Sequence, residues 1–271
     1  MGPEIDLQEP IGAGLPQVHA TAVVDPEAQL APGVTIGPYS IIESGVRMGE
    51  STRIESHVFI GSGTTIGRNN HIFHGAVLGS PPQDLKYNNE PTTLHIGDRN
   101  IIREYVTVHR GSAARGKTMV GNDCFLMAYS HVGHDGELGD HVILANTVHL
   151  AGHVTIEDWV VIGGIVPIHQ FVRIGCHSMV GGGFRLSQDV CPYALTAGYP
   201  LRVVAPNVIG LRRRGFTQVQ ILPIKRAFRV LFKSGQNTTQ ALRAVERDVE
   251  QTDEVVRLVE FIRNSERGVV K

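Results

Sequence analysis

An aliphatic residue recurs at every sixth position from Val18 through Val24, Leu30, Ile36 and onward to Leu78. The series resumes in the same phase at Ile96, Ile102 and Val108, and again from Val120 to Leu186. The following residue is often glycine, as at Gly37, Gly49, Gly61, Gly121 and Gly163. The residue two before is often small or β-branched, as at Ala22, Val34, Thr52 and Val154. A period of six fits neither the 3.6-residue turn of an α-helix nor the alternation of an isolated strand. It fits a short strand, an inward aliphatic side chain and a sharp corner, with glycine permitting a close or positive-φ backbone there. Three units, about 18 residues, close one triangular coil, and stacked coils line up the aliphatic residues as a continuous core. The pattern predicts a mainly β protein, a parallel β-helix of hexapeptide repeats.

Two stretches interrupt the repeat without changing its phase. The first, near 79–95, carries Pro81, Pro82 and Pro91 around the run QDLKY; the second, near 109–119, reads HRGSAARGKTM. Both are expected to be loops thrown out from coil corners, on the face that binds. From about residue 200 the period disappears. Apolar residues at helical spacing predict helices over 217–233, 238–249 and 252–263 with Thr caps, and Pro223 is expected to kink the first or mark its start. The expected organisation is a leader over 1–17, a β-helix over 18–200 and a C-terminal α-helical domain over 201–271, able to cap the open end of the solenoid.

Charge changes this picture at one place. The net charge is only −1, yet residues 190–245 contain no Asp or Glu. The same stretch holds nine basic residues, among them Arg212, Arg213, Arg214, Lys225, Arg226 and Arg229. Such a region steers anionic partners, and the Arg run suits phosphate capture. No aromatic platform accompanies it, so nucleic acid is not expected. Three cysteines without metal-like spacing suggest free thiols in a reducing compartment. No secretory signal, myristoylation site or membrane-spanning run is apparent, so a cytoplasmic protein without stable membrane insertion is expected.

The candidate chemistry lies among thirteen histidines. Counting in steps of 18 stacks His131 on His149, His134 on Gly152 and then Gln170, and Asp135 on His153, with His169 beside Gln170. A neutral imidazole serves as a general base, a neighbouring carboxylate orients it, and a glycine lets a backbone N–H approach a developing oxyanion. The spacing of His131 and His134 leaves a metal site open as a rival use. No nucleophile elbow, phosphate loop or dinucleotide fingerprint is present. Direct attack by a base-activated substrate hydroxyl is the simpler chemistry.

The segments QDLKY (83–87), IGDRNIIREYVTVHRG (96–111), HVGHD (131–135), LAGHV (150–154), IHQF (168–171), MVGG (179–182), QDV (188–190) and RRGF (213–216) resemble, in order, the UDP-N-acetylglucosamine 3-O-acyltransferase family of lipid A biosynthesis. The resemblance implies a left-handed β-helix and a homotrimer with sites between subunits. It implies transfer of an R-3-hydroxyacyl chain from acyl carrier protein to UDP-N-acetylglucosamine, or to its 3-amino analogue, without a cofactor or metal. It assigns His134 as base, Asp135 as its partner and Gly152 as oxyanion donor. It places Gln83, Asp84, Lys86, His109, His131, His153, His169 and Gln170 against substrate, Gly182 at the end of the acyl groove, and Asn207, Arg213 and Arg214 at the nucleotide. Ile209, Phe184 and Arg185 depart from the family pattern. Two enzymes remain as contrasts on the same scaffold: an acetyl-CoA-dependent transferase and a zinc-dependent γ-type carbonic anhydrase.

Overall fold

The structure, a computed structural model, describes residues 14–271. Most of the expected leader lies outside the described residues, and Gln17–Val18 already forms the first strand. Over the described residues the chain winds through three sheets of eleven, eight and eight strands, visiting them in rotation and pairing in parallel up to a final antiparallel hairpin on the first. We call them the first, second and third faces. Most strands are two residues long, as at Ile41–Ile42, Arg53–Ile54 and His131–Val132. Within each, one residue points outward and the aliphatic one inward: Ile42, Ile60, Ile72, Leu126, Leu144 and Ile162 are 0–1% exposed. The fold is a left-handed parallel β-helix.

The register shows why the phase survives the loops. Val18 pairs with Ile36 and Leu126 with Leu144, an offset of 18 residues. Leu78 pairs with Val108, an offset of 30, and Val108 with Val132, an offset of 24. Each excess is a whole number of hexapeptides. The loops proper are shorter than anticipated. The strands Val77–Ser80, Thr93–Ile96 and Lys117–Val120 extend to four residues and leave 81–92 and 110–116 as the connections. Both connections leave the corner between the second and third faces.

The glycines after the aliphatic residues act by close approach. A Cβ on Gly49 would lie 2.6 Å from the Gly67 carbonyl carbon, and one on Gly61 would lie 2.6 Å from the Gly79 oxygen. Positive φ instead falls three residues after the aliphatic position, at Tyr39, Ser51, His57, Tyr105, Asp135, His153 and their equivalents. Among the described residues eighteen non-glycine residues adopt it, all at such corners except Asn89 in the 81–92 connection. The corner therefore places its left-handed residue where a bulky side chain can splay outward.

Beyond the solenoid, a hairpin of Ala194–Ala197 and Arg202–Pro206 extends the first face across residue 200. Four helices follow: α1 (Val208–Arg213), which the apolar pattern did not reveal, α2 (Gln218–Lys233), α3 (Thr238–Asp248) and α4 (Asp253–Arg263). Thr217 and Thr252 cap α2 and α4 as anticipated, whereas α3 is capped by Asn237. α2 starts at Gln218 and runs through Pro223. The helices dock on the last coils, where Arg173 lies 4.6 Å from the Phe261 ring centroid and Arg257 pairs with Glu157 at 3.6 Å. The C-terminal tail pairs Val269 with Asp189 and buries Val269 and Val270. Among the described residues, no helix is long and apolar enough to cross a membrane.

Candidate active site

The corner between the second and third faces carries His134 and Asp135 on one level, Gly152 and His153 on the next, and Gln170 and Phe171 above. Coil stacking makes these neighbours: the His153 N–H donates to the His134 carbonyl at 2.9 Å. The His134 and His153 rings meet edge to face at 5.1 Å, and His153 stacks on Phe171 at 4.6 Å.

His134 is 9% exposed and Asp135 is fully buried. His134 Nδ1–H donates to Asp135 Oδ2 at 2.7 Å. Because a carboxylate only accepts, Nδ1 carries the proton, and in the neutral form of the ring the lone pair is at Nε2. Gly152 lies at that end of the ring. A Cβ placed on it would sit 2.5 Å from Nε2. Among the described residues the Gly152 N–H has no hydrogen-bond partner. Burial alone would raise the Asp135 carboxyl, but hydrogen bonds from His134 and from the Ser112 hydroxyl and N–H outweigh it and hold it below its usual value. An imidazole, the carboxylate hydrogen-bonded to it and a free backbone donor thus share one corner.

Three histidines, His109, His131 and His153, are pushed toward the neutral form. Burial, reinforced by His109 and His149, pushes His131 down to about 4, and Thr107 Oγ1 meets its Nδ1 at 2.7 Å. His109 is pushed down by burial and then by His134, and its Nδ1 has no partner. His153 is lowered chiefly by burial, against the opposing pull of Asp135.

The connection 81–92 carries Gln83, Asp84 and Lys86 at or near the surface. Arg110 fastens this loop to the corner, donating through Nε and a terminal nitrogen to the Tyr87 hydroxyl at 3.1 and 2.8 Å. Several anticipated residues lie elsewhere. Asn207 caps α1 and donates to the His177 carbonyl at 2.9 Å, and is 7% exposed. Arg214 lies over the Trp159 ring at 5.3 Å, on the corner between the third and first faces, while Arg213 is exposed beside it. Gly182 sits on the remaining corner, where a Cβ would meet the Gly164 oxygen at 2.8 Å. His169 turns toward the tail, with Arg267 3.1 Å from its Nδ1.

Sequence reasoning missed Ser112, Arg115 and Thr118. The Ser112 N–H and Oγ–H reach Asp135 at 3.0 and 2.6 Å, and the Arg115 N–H reaches it at 3.2 Å. The Asp135 N–H donates to Thr118 Oγ1 at 2.9 Å. Counting in steps of 18 cannot place residues across an inserted loop, so their position was hidden. Ligand atoms of His134, Asp135 and His153 lie within 4.8 Å of one another, a spacing a cation could use. Both Asp135 oxygens are already engaged by N–H and O–H donors, which leaves the trio better suited to proton handling than to coordination.

A hexapeptide β-helix with a corner His–Asp pair beside a free backbone N–H is the architecture of an acyltransferase, and known proteins agree. A family model described as Udp N-acetylglucosamine O-acyltransferase, Domain 2, matches residues 189–270. The acyl-(acyl carrier protein)–UDP-N-acetylglucosamine O-acyltransferase of Paraburkholderia phymatum is 49% identical, covering 94% of this chain and 99% of its own. The UDP-N-acetylglucosamine acyltransferase LpxA of Bacteroides fragilis superimposes with a TM-score of 0.91 at 42% identity, over 93% of this chain and 99% of its own. LpxA of Acinetobacter baumannii gives 0.90 at 41%, over 94% and 99%. The chain belongs to the UDP-N-acetylglucosamine O-acyltransferase family.

Proposed function

We propose that this chain transfers an R-3-hydroxyacyl group from acyl carrier protein to the 3-hydroxyl of UDP-N-acetylglucosamine, the entry step of lipid A biosynthesis. The observation that carries the mechanism is the His134 ring, held by Asp135 with Nε2 against Gly152. Nε2 takes the proton of the sugar hydroxyl as its oxygen attacks the thioester carbonyl. The Gly152 N–H stabilises the oxyanion that forms. Collapse expels the carrier thiolate, and the imidazolium returns the proton to sulfur. Asp135 keeps the imidazole in the reactive tautomer and balances its transient charge.

The nucleotide end is assigned to Asn207, Arg213 and Arg214, and the carrier protein to the acid-free face of α2, where Lys225, Arg226 and Arg229 are exposed. Arg214 and His134 occupy different corners of one solenoid. A homotrimer in which one chain's His134 faces a neighbour's arginines reconciles them. Three buried free thiols suit a cytoplasmic location.

The test is an assay with purified protein, hydroxyacyl carrier protein and either UDP-N-acetylglucosamine or its 3-amino analogue. An O-acyl product is expected, and His134→Ala lowers its rate by about 10²–10⁴ with the fold intact. Absence of product, or turnover by His134→Ala at the wild-type rate, would overturn the reading.

A further inference from the structure

The connection 110–116 closes over Asp135, and its purpose is not to turn the chain. Asp135, His153 and Phe171 occupy the same corner on successive levels with φ of 58°, 62° and 65°. All three turn with no inserted residues; the insertion belongs to the same corner one coil below, between Thr107–His109 and Lys117–Val120. From there it supplies three of the four donors to the fully buried Asp135 carboxylate. Oδ1 accepts the Ser112 N–H at 3.0 Å and the Arg115 N–H at 3.2 Å, and Oδ2 accepts the Ser112 Oγ–H at 2.6 Å. The fourth donor is His134 Nδ1–H, on Oδ2. The Arg115 guanidinium also donates to the Asp135 carbonyl at 3.1 Å and pairs with Glu137 at 3.2 Å, which ties the loop to the corner backbone.

Ser112 alone spans both oxygens, with its N–H on one and its O–H on the other. Two donors on two oxygens fix the plane of a carboxylate, where one donor would let it swivel. The plane of Asp135 in turn fixes the direction from which His134 Nδ1 is held, and so where Nε2 points.

We propose that Ser112 is a positioning residue for acyl transfer, clasping Asp135 so that His134 keeps its lone pair directed beside Gly152. This rests on the acyl-transfer reading above. A structural alternative exists, because Ser112 Oγ also accepts the Ala114 N–H at 3.2 Å and could serve only to shape its own loop.

Steady-state transfer by the full-length protein separates the two. Ser112→Ala keeps the backbone donor and removes the hydroxyl; kcat is expected to fall roughly tenfold, while KM for the nucleotide sugar stays within about twofold. Ser112→Thr restores the hydroxyl and should return kcat to within about threefold of wild type. In an Asp135→Asn background, Ser112→Ala should cost less than about twofold more, because the residue acts through the carboxylate. Should Ser112→Ala melt early, Ser112→Cys keeps the volume with a weak donor and should show the same kcat loss. Wild-type kcat in both the Ala and Cys variants, a loss carried by KM, or an equal loss in both Asp135 backgrounds would overturn the proposal. Wild-type protein that transfers nothing would instead overturn the acyl-transfer reading.

Discussion

At the scale of single residues, Gly152 has room for one hydrogen and no more. A methyl group there would meet His134 Nε2 at 2.5 Å and Cε1 at 2.6 Å. The ring cannot retreat without surrendering its 2.7 Å hydrogen bond to Asp135. Gly152→Ala should therefore lose about 10²-fold or more in single-turnover rate, the order expected from misplacing a reacting group by about 1 Å. The melting temperature should move little, since the strain falls on one side chain. An unimpaired rate would mean that the ring has freedom the hydrogen bond does not reveal. Two partly buried histidines at separate places on the solenoid set a pH limit on stability. His131 and His177 are pushed down from 6.5 to about 4, each mainly by burial. The unfolded chain binds those protons first. Stability from keeping the rings neutral is complete above about 6.5 and is lost as pH falls toward 4. Melting temperatures between pH 7 and 4 should decline in the wild type and decline less steeply in His131→Asn. Parallel curves would show that burial of His131 does not contribute.

At the scale of elements, the two glycine classes should respond oppositely. Gly49 is pressed on the backbone of the next coil, with a Cβ 2.6 Å from the Gly67 carbonyl carbon and 2.7 Å from the Arg68 nitrogen. Gly45, at φ of 70°, has nothing within 4 Å. Overpacking predicts that Gly49→Ala costs about 1–3 kcal/mol. Gly45→Asn should stay within about 0.5 kcal/mol, since Asn tolerates the left-handed region. Chemical denaturation measures both; equal effects would contradict the division of labour. The spacing gives each glycine its phase, Gly49 one residue after Met48 and Gly45 three after Ile42, but only the next coil shows that the first phase is crowded and the second open. The strands themselves were legible, since each pairs its aliphatic residue in a register the spacing already contains. His134, Asp135, Gly152 and His153 were legible for the same reason. The positions of Asn207 and Arg214 relative to His134 were not legible, because they flank α1, which is six residues long and leaves no periodic trace. Ser112 was missed because a loop has no period to count.

At the scale of the whole molecule, one chain places His134 and the arginines Arg213 and Arg214 on different corners. If a neighbour completes the site, two inactive variants should complement. Co-expressed His134→Ala and Arg213→Ala chains form mixed trimers in which roughly a quarter of sites are intact by random assortment. The mixed oligomers are expected to turn over well above either variant alone. Mixed trimers with no recovered activity would place the whole site within one chain.

The stacking of the coils has a metrical consequence. Successive levels of a parallel sheet are separated by about 4.8 Å, whatever side chains they carry. The heights of the loop strand, His134, Gly152 and Gln170 along the corner are therefore set in whole steps. Duplicating or deleting one 18-residue coil would move the Asp84–Lys86 loop relative to the Gly152 N–H by one such step and by no smaller amount. A scaffold of this kind counts in fixed increments. Any finer matching to the length of a substrate falls to the few side chains that stand out from its edges.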